Sequence, residues 1–313
     1  MEPLLEVKNL KTSFKIGKKW VPAVEQVCFH VDPGETLGIV GESGCGKSVT
    51  SMSIMRLLPK ATTKIEADEI ILNGKNIANY SDKEMAQVRG TGIGMIFQDS
   101  MTSLNPTMTI GNQIMENIFT HEKTTRQKAR ERAIELLKLV EIPNPETRLK
   151  NYPHQLSGGM RQRVMIAMAM SSDPKVLIAD EPTTALDVTI QAQILHLLLE
   201  LQKKNNMSII LITHDLGVVA NFADRIQVMY AGQVVERGTA REIFYEAKHP
   251  YTWALLSSVP KLAKESKQKL YTLQGTPPDL ILPLEYCPFA ARCEFCMPIC
   301  KEQMPPETVL SDT

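Results

Sequence analysis

The sequence predicts an α/β fold with a parallel, doubly wound sheet, an inserted helical subdomain and a small C-terminal extension. Helix-like and strand-like segments alternate in the second half of the main domain, as they do in proteins with parallel sheets. A glycine-rich loop separates a strand from a helix at residues 41–48, and the tail is rich in Pro and Cys. We therefore expect a main domain over residues 1–250, with a helical subdomain at about 100–160, and an extension over 251–313.

The composition is that of an ordinary globular chain. Of 313 residues, 43% are hydrophobic and 22% are charged, and 35 basic residues balance 35 acidic ones. A neutral chain lacks the overall basic field that favours nucleic-acid binding. The sequence has no run of about 18 apolar residues, which a membrane span would need. The charged N-terminus lacks the apolar core of a signal peptide. We expect a cytosolic chain.

Apolar runs predict three strands before the glycine-rich loop, at residues 5–14, 23–31 and 36–40. A Pro-Gly turn lies before the third strand. After the loop, a helix is expected over residues 48–58, because Pro59 stops it.

Helical patterns dominate the middle of the chain. Ser81 and Glu84 form a capping-box pattern that opens a short helix. Apolar residues at helical spacing predict a longer helix over residues 125–141. The next expected elements are a helix, a strand, a helix and a strand, over residues 160–170, 176–179, 189–203 and 208–213.

Residues 41–48, GESGCGKS, have the spacing of a phosphate-binding loop, G-x-x-x-x-G-K-[ST]. Glycines let backbone N–H groups face phosphates, and the start of the following helix is partly positive. Lys47 is suited to neutralise the β- and γ-phosphates of a nucleotide, and Ser48 to bind Mg²⁺. The expected nucleotide contacts are Gly41, Ser43, Gly44, Cys45, Gly46, Lys47, Ser48 and Val49. A helix N-terminus beside Lys47 also predicts a lowered thiol pKa for Cys45.

Two carboxylates, Asp180 and Glu181, follow the apolar run 176–179. Ligands bind at the carboxyl ends of strands in open α/β sheets. Asp180 is suited to complete the shell of a bound Mg²⁺, and Glu181 to polarise an attacking water. Together with the loop at residues 41–48, the pair predicts nucleotide hydrolysis.

Residues 156–163 read LSGGMRQR and precede the Asp180–Glu181 pair. The order of the three motifs resembles that of ATP-binding cassette (ABC) ATPases, whose signature sequence is LSGGQ. Met160 replaces the usual Gln. The resemblance implies that Ser157, Gly158 and Gly159, at the start of a helix, bind the γ-phosphate of an ATP molecule held by a partner subunit.

Further positions agree with this family. Gln98 stands where the family has its Q-loop glutamine, which reaches Mg²⁺ or water, and residues 185–187 where it has its D-loop. His214 matches the switch histidine that senses the γ-phosphate. Phe14 lies near the position of an aromatic residue that stacks on adenine, although a core position is the alternative for a Phe in a strand. The resemblance implies ATP and Mg²⁺ as ligands, Ser48 and Gln98 as contacts of Mg²⁺, and Glu181, His214 and Gln98 as catalytic residues.

The tail narrows the resemblance to one branch of the family. Residues 249–260, HPYTWALLSSVP, and the short segments at 275–278, 287–289, 292–293 and 304–306 resemble the C-terminal domain of oligopeptide/dipeptide (and nickel) importer ATPases. Within that branch, the chain resembles the D-type subunit. The resemblance implies an ATP-hydrolysing subunit that energises import of oligopeptides or dipeptides.

The same resemblance implies the partners. They are a homologous F-type ATPase, two membrane permease subunits and, indirectly, an extracytoplasmic substrate-binding protein, with no nucleic acid. The expected place is the cytoplasmic face of a bacterial cell membrane, with permease helices on the surface of residues 98–115. An ATPase of a nickel or metal–metallophore importer is the alternative. A soluble ABC ATPase that acts on chromosomes or ribosomes is disfavoured, because coiled-coil arms, a second cassette and a basic stripe are absent from the sequence.

Four cysteines cluster in the tail: Cys287, Cys293, Cys296 and Cys300. In a reducing compartment such a cluster predicts a metal site more than a disulfide framework. Four thiolates suit tetrahedral Zn²⁺ or a [4Fe–4S] cluster, and the absence of any metal is the third alternative. The resemblance favours the [4Fe–4S] cluster, since some members of this branch carry one here. We expect it to stabilise a tail with a poor core.

Overall fold

The structure is a computed structural model that describes residues 2–184, 186–258, 273–281 and 285–311. Ala185 of the expected D-loop, and Val259 and Pro260 of the tail motif, lie outside the described residues. The chain divides into two compact units. The first comprises Met1–Leu5, Val31–Glu35 and Leu72–Ile212, and the second Glu6–His30, Thr36–Ile71 and Thr213–Thr313.

The strands of the described residues are β1 (Leu5–Ile16), β2 (Lys19–Val31), β3 (Thr36–Val40), β4 (Thr63–Glu66), β5 (Glu69–Leu72), β6 (Lys75–Asn76), β7 (Ile93–Ile96), β8 (Val176–Asp180), β9 (Ser208–Thr213), β10 (Arg225–Tyr230) and β11 (Gln233–Thr239). The helices of the same residues are α1 (Lys47–Ile54), α2 (Asp82–Val88), α3 (Ser100–Ser103), α4 (Ile110–His121), α5 (Arg126–Leu139), α6 (Pro145–Arg148), α7 (Gly158–Ala169), α8 (Val188–Asn205), α9 (Leu216–Phe222), α10 (Ala240–Glu246) and α11 (Pro250–Ser258). Short 3-10 turns are formed by Pro153–Gln155, Ala290–Arg292 and Pro298–Lys301.

The first unit contains the parallel strands β7, β8 and β9. β8 lies between the other two, with Val176 opposite Ile93 on one side and Ser208 on the other. Every residue of β8 and β9 is buried, because helices cover both faces of a parallel sheet. This confirms the two strands that the apolar runs predicted.

Helices follow in the same unit, as the interruption of the strand–helix alternation predicted. α4, α5 and α7 pack on one another, and α5 also contacts α6. α5 buries Ala129, Ala133, Leu136 and Leu137 on one face, and Thr125 caps its start by accepting a hydrogen bond from Lys128 N. The predicted capping box at Ser81 is formed as well, at the start of α2.

The second unit contains two sets of strands. β4 pairs antiparallel with β1, which places Phe14 opposite Thr63. β10 pairs in parallel with β3 and antiparallel with β11. The strand β3 is fully buried and has the predicted bounds, and it leads directly into the loop at residues 41–48.

Several predictions differ from the structure, most of them by a few residues at the end of an element, as in β2, which begins at Lys19 and not at residue 23. α1 ends at Ile54 and not at residue 58, because Arg56 adopts a left-handed conformation with φ of 49°. α7 begins at Gly158 and not at residue 160, since Ser157 caps it. The tail, predicted to have little regular structure, forms α11, whose residues Tyr251 and Ala254 are buried.

None of the helices in the described ranges has the length and apolar character needed to cross a membrane.

Candidate active site

The loop at residues 41–48 joins β3 to α1 in the second unit. Gly41, Gly44 and Gly46 have φ of 153°, 81° and 101°. A Cβ atom on Gly41 would lie 2.2 Å from the carbonyl oxygen of Met229, so only glycine fits this position. Ser43 and Gly44 are exposed at the tip, while Ser48 and Val49 are half-buried in the first turn of α1.

Lys47 is held inside this loop. Its side chain is buried, and Nζ donates hydrogen bonds to the carbonyl oxygens of Gly41, at 2.9 Å, and of Glu42, at 3.0 Å. The ammonium group therefore lies within the curve of the loop. The helix α1 follows the loop, and its N-cap residue, Gly46, has no side chain. The start of α1 therefore presents backbone N–H groups and a partial positive charge.

The prediction of a lowered pKa for the Cys45 thiol is wrong. Cys45 is only 5% exposed, and burial raises its pKa more than nearby Lys47 lowers it. The Lys47 ammonium lies 3.9 Å from the Cys45 sulfur. Cys45 is thus a small packing residue of the loop, held in the protonated form.

Asp180 and Glu181 lie at the carboxyl end of β8, in the first unit. Both are buried, and the backbone N–H of Glu181 donates to the carbonyl oxygen of Ile212 in β9. Glu181 has a φ of 46°, which is unusual for a residue other than glycine. Such a conformation costs about 1–3 kcal/mol and is found at functional sites.

Two side chains hold the Glu181 carboxylate. Gln98 Nε2 and Thr184 Oγ1 each donate a hydrogen bond of 2.9 Å to Glu181 Oε2. The structure thus brings together two of the predicted residues, Gln98 and Glu181, that are far apart in sequence. Thr184 was missed by the sequence analysis, although its position three residues after Glu181 was a signal that could have identified it.

The start of α7 carries the predicted signature residues. Ser157 is exposed and caps the helix by accepting a hydrogen bond of 3.3 Å from Met160 N. Gly159 packs against α8, where an added Cβ would lie 2.9 Å from Ile190. The exposed helix start is suited to bind an anion.

The two remaining predicted residues belong to the second unit. Phe14 is half-buried on β1, so its ring is not enclosed in a core. His214 follows the last residue of β9 and is exposed. It precedes Asp215, which caps α9.

Residues 24–184 match the ABC transporter family. They include the loop at 41–48, Gln98, the start of α7 and the Asp180–Glu181 pair, in the order described above. The chain belongs to the ABC transporter family. Residues 235–300 match a second family, described as the C-terminal region of oligopeptide/dipeptide transporters.

Curated relatives cover nearly the whole chain. The oligopeptide transport ATP-binding protein OppD of Bacillus subtilis is 59% identical over 99% of this chain and 87% of its own length. The dipeptide transport ATP-binding protein DppD of the same organism is 54% identical, over 100% of this chain and 93% of its own length.

Among solved structures, a dimeric bacterial ABC transporter cassette, MJ0796, is 31% identical, with a TM-score of 0.67 over 76% of this chain and 99% of its own. A post-hydrolysis state of the same cassette, with ADP and Pi, has a TM-score of 0.67 and 30% identity, with the same coverage.

Each unit contains oxygen donors of its own. The first has the amide of Gln98 and the carboxylate of Asp180, which is 1% exposed, and the second has the hydroxyl of Ser48. Oxygen atoms of these types are the ligands that Mg²⁺ prefers.

The four tail cysteines lie in one turn-rich segment. Cys287 N donates to the carbonyl oxygen of Cys300, which joins the ends of the segment. Burial raises the pKa of Cys287 and of Cys293, and the neighbouring tail thiols raise both further. Among the described residues, however, no three Cys, His, Asp or Glu side chains are arranged around a position for a single metal ion.

The tail also contacts the loop at residues 41–48, called the phosphate loop below, and this contact was not predicted from the sequence. Glu42 accepts hydrogen bonds from Arg292 and donates one through its backbone N–H to Tyr251. In the sequence, Tyr251 and Arg292 were noted only as parts of segments that resemble the C-terminal domain of the importer ATPases. No local pattern could have identified the contact, because Arg292 lies 250 residues from Glu42.

Proposed function

We propose that this chain is the ATP-hydrolysing subunit of an importer of oligopeptides or dipeptides, and that it works through separate membrane permease subunits. The observation that carries the proposal is the match of residues 235–300 to the C-terminal region of oligopeptide/dipeptide transporters. Relatives named for oligopeptide and dipeptide transport cover nearly the whole chain, which supports peptides over the alternative of nickel or a metal–metallophore complex.

The buried position of Lys47 supports a role for the loop in binding ATP. We assign the β- and γ-phosphates to Lys47 and to the backbone of Gly41, Ser43, Gly44, Cys45, Gly46, Ser48 and Val49. Ser48, Gln98 and Asp180 would hold Mg²⁺, which offsets negative charge on the phosphates when bound. The partly exposed ring of Phe14 would stack on adenine.

Hydrolysis needs a base that faces the attacking water. Glu181 is assigned this role, because two hydrogen bonds fix its carboxylate at the carboxyl end of β8. Gln98 orients the carboxylate through one of them. His214 would contact the γ-phosphate as a hydrogen-bond donor.

The exposed start of α7 supports a dimeric mode of action. In the proposed dimer, Ser157, Gly158 and Gly159 bind the γ-phosphate of the ATP molecule held by the partner, a homologous F-type ATPase. The solved cassette MJ0796 is described as dimeric. ATP binds the closed dimer more tightly than the open one, so that binding and hydrolysis shift the population between the two.

A groove in the helical subdomain is the proposed contact for the permeases. Its volume is about 440 Å³, and its lining is apolar with a polar edge: Met108, Asn112, Met115, Glu116, Phe119, Thr120 and Arg126. A short amphipathic helix of one of the two permease subunits would fit it. The chain would then lie on the cytoplasmic face of the membrane, and the substrate-binding protein would act on it only indirectly.

Peptide uptake tests the proposed function. A bacterial strain that lacks this chain should fail to take up labelled di- and oligopeptides, and the intact gene should restore uptake. The Glu181→Gln variant is the matched control, since it should not restore it. Normal peptide uptake in the deletion strain, together with lost nickel uptake, would support the metal importer instead.

We further propose that Cys287, Cys293, Cys296 and Cys300 hold a [4Fe–4S] cluster with a structural role. The four thiols lie within fourteen residues, and Cys287 and Cys293 each feel the charge of neighbouring tail thiols. A [4Fe–4S] cluster is held by four thiolates, which is the number of cysteines in this segment.

Anaerobic purification is expected to yield brown protein with about four iron and four sulfide ions per chain. Cys296→Ser should lower both contents, whereas Cys28→Ser, a substitution of a cysteine outside the tail, should leave them unchanged. Colourless protein with one zinc ion per chain would contradict the cluster, and protein without metal would contradict both assignments.

A further inference from the structure

The tail reaches the phosphate loop through an ion pair. The guanidinium of Arg292 contacts the Glu42 carboxylate with both ends, Nη1 to Oε2 at 2.6 Å and Nη2 to Oε1 at 2.9 Å. The Arg292 side chain is 4% exposed and that of Glu42 is 28% exposed. A shielded, two-point contact of this kind is stronger and more directional than a surface ion pair.

Arg292 is itself held in place. Its Nε donates to the carbonyl oxygen of Gln274, at 3.1 Å, and Nη1 donates to the hydroxyl of Tyr230, at 3.3 Å. The guanidinium carbon also lies 5.8 Å from the centre of the Tyr230 ring. The contacts with Gln274 and Tyr230 fix the direction of the guanidinium, so that it faces Glu42.

A second tail residue holds the backbone of Glu42. The N–H of Glu42 donates to the hydroxyl oxygen of Tyr251, at 2.9 Å. Tyr251 is fully buried, and its ring packs on Tyr230 and on Phe289, with centres 4.5 Å and 5.4 Å away. Burial raises the pKa of Tyr251, so its hydroxyl stays neutral.

Glu42 is therefore fixed at three groups. Tyr251 holds its N–H, Arg292 holds its carboxylate, and Lys47 donates to its carbonyl oxygen. The carboxylate belongs to the same loop as the proposed phosphate contacts. An uncompensated negative charge at this place would repel a bound triphosphate, and Arg292 supplies the compensating charge.

We propose that Arg292 is a positioning residue for nucleotide binding, supplied by the tail. It neutralises and orients Glu42, and Tyr251 holds the backbone of the same residue. The inference rests on the proposed role of the phosphate loop in binding ATP. It adds that the last part of the chain determines how tightly the loop binds the nucleotide.

Nucleotide titrations of the full chain with fluorescent ATP and ADP test the proposal. Arg292→Met should weaken ATP binding about tenfold and ADP binding less, because repulsion grows with the charge of the nucleotide. KM for ATP should rise by a similar factor, while kcat changes little. In the double variant Arg292→Met/Glu42→Gln, ATP affinity should return to near that of the wild type, since the repelling charge is gone.

Arg237→Met is the matched control. Arg237 forms an ion pair with Glu307, which also joins the tail to the rest of the second unit, and neither residue belongs to the phosphate loop. This variant should bind ATP as the wild type does. If it weakened ATP binding as much as Arg292→Met, a general loosening of the tail would explain both results, and the proposal would be wrong.

Two other results would also overturn the proposal. One is an Arg292→Met variant that binds ATP as tightly as the wild type, and the other is a double variant that binds ATP no more tightly than Arg292→Met. If Arg292→Met does not fold, Glu42→Gln serves instead. It should bind ATP at least as tightly as the wild type, and tenfold weaker binding would contradict the proposed repulsion. The Lys47→Met variant distinguishes failure of this proposal from failure of the proposed role of the loop. If Lys47→Met still binds ATP, the loop does not have the role in ATP binding on which the proposal rests.

Discussion

Replacing Glu181 by Gln is expected to lower kcat for ATP hydrolysis by about 10²–10⁴-fold, the usual contribution of a general base. The amide retains an oxygen that can accept the hydrogen bonds of Gln98 and Thr184, so the local geometry should be preserved. It cannot take a proton from water. ATP should therefore remain bound, and the closed ATPase pair should accumulate.

Phosphate release measures the loss, and size-exclusion chromatography with ATP measures the accumulated pair. Glu200→Gln is the control, because Glu200 is an exposed glutamate of α8 that pairs with His196. It should leave both measurements unchanged. Normal hydrolysis by Glu181→Gln would mean that another group is the base.

Replacing Lys47 by Met is expected to weaken ATP binding about 100-fold or more, since charge-assisted hydrogen bonds to phosphate are lost. Lys47 is buried with its Nζ inside the loop. The nucleotide-free variant should fold and unfold a few degrees below the wild type, because Met fills a similar volume but the carbonyl oxygens of Gly41 and Glu42 lose their donor. ATP should no longer raise its Tm, as a ligand raises Tm only when it binds the folded state.

Lys64→Met is the control for this variant. Lys64 lies in the same unit on β4 and forms an exposed ion pair with Glu66. It should keep the wild-type ATP affinity and the rise in Tm with ATP. A Lys47→Met variant that still showed that rise would contradict the proposed role of the loop.

Buried elements were the easiest to predict from the sequence. The runs at 36–40 and 208–213 are mostly apolar, and both have the predicted bounds as β3 and β9, in which every residue is buried. Boundaries set by a single backbone angle were harder. α1 is shorter than predicted because of the conformation of Arg56, which no periodic pattern encodes.

Only part of the candidate site could be predicted, because some of its features depend on tertiary packing and not on local sequence. Motifs local in sequence, such as the loop at 41–48, indicated their residues directly. The pKa of Cys45 was predicted in the wrong direction, because the sequence indicates the nearby Lys47 but not the degree of burial. The contact between Glu42 and Arg292 depends on tertiary packing across 250 residues.

That contact also has a consequence for the synthesis of the protein. Ribosomes make the chain from its N-terminus, so every ABC motif is complete long before Arg292 has been added. Until then, the Glu42 carboxylate has no guanidinium beside it. A nascent chain, or one terminated before residue 292, would thus compete poorly for cellular ATP, and full nucleotide affinity would be gained only after Arg292 has been added.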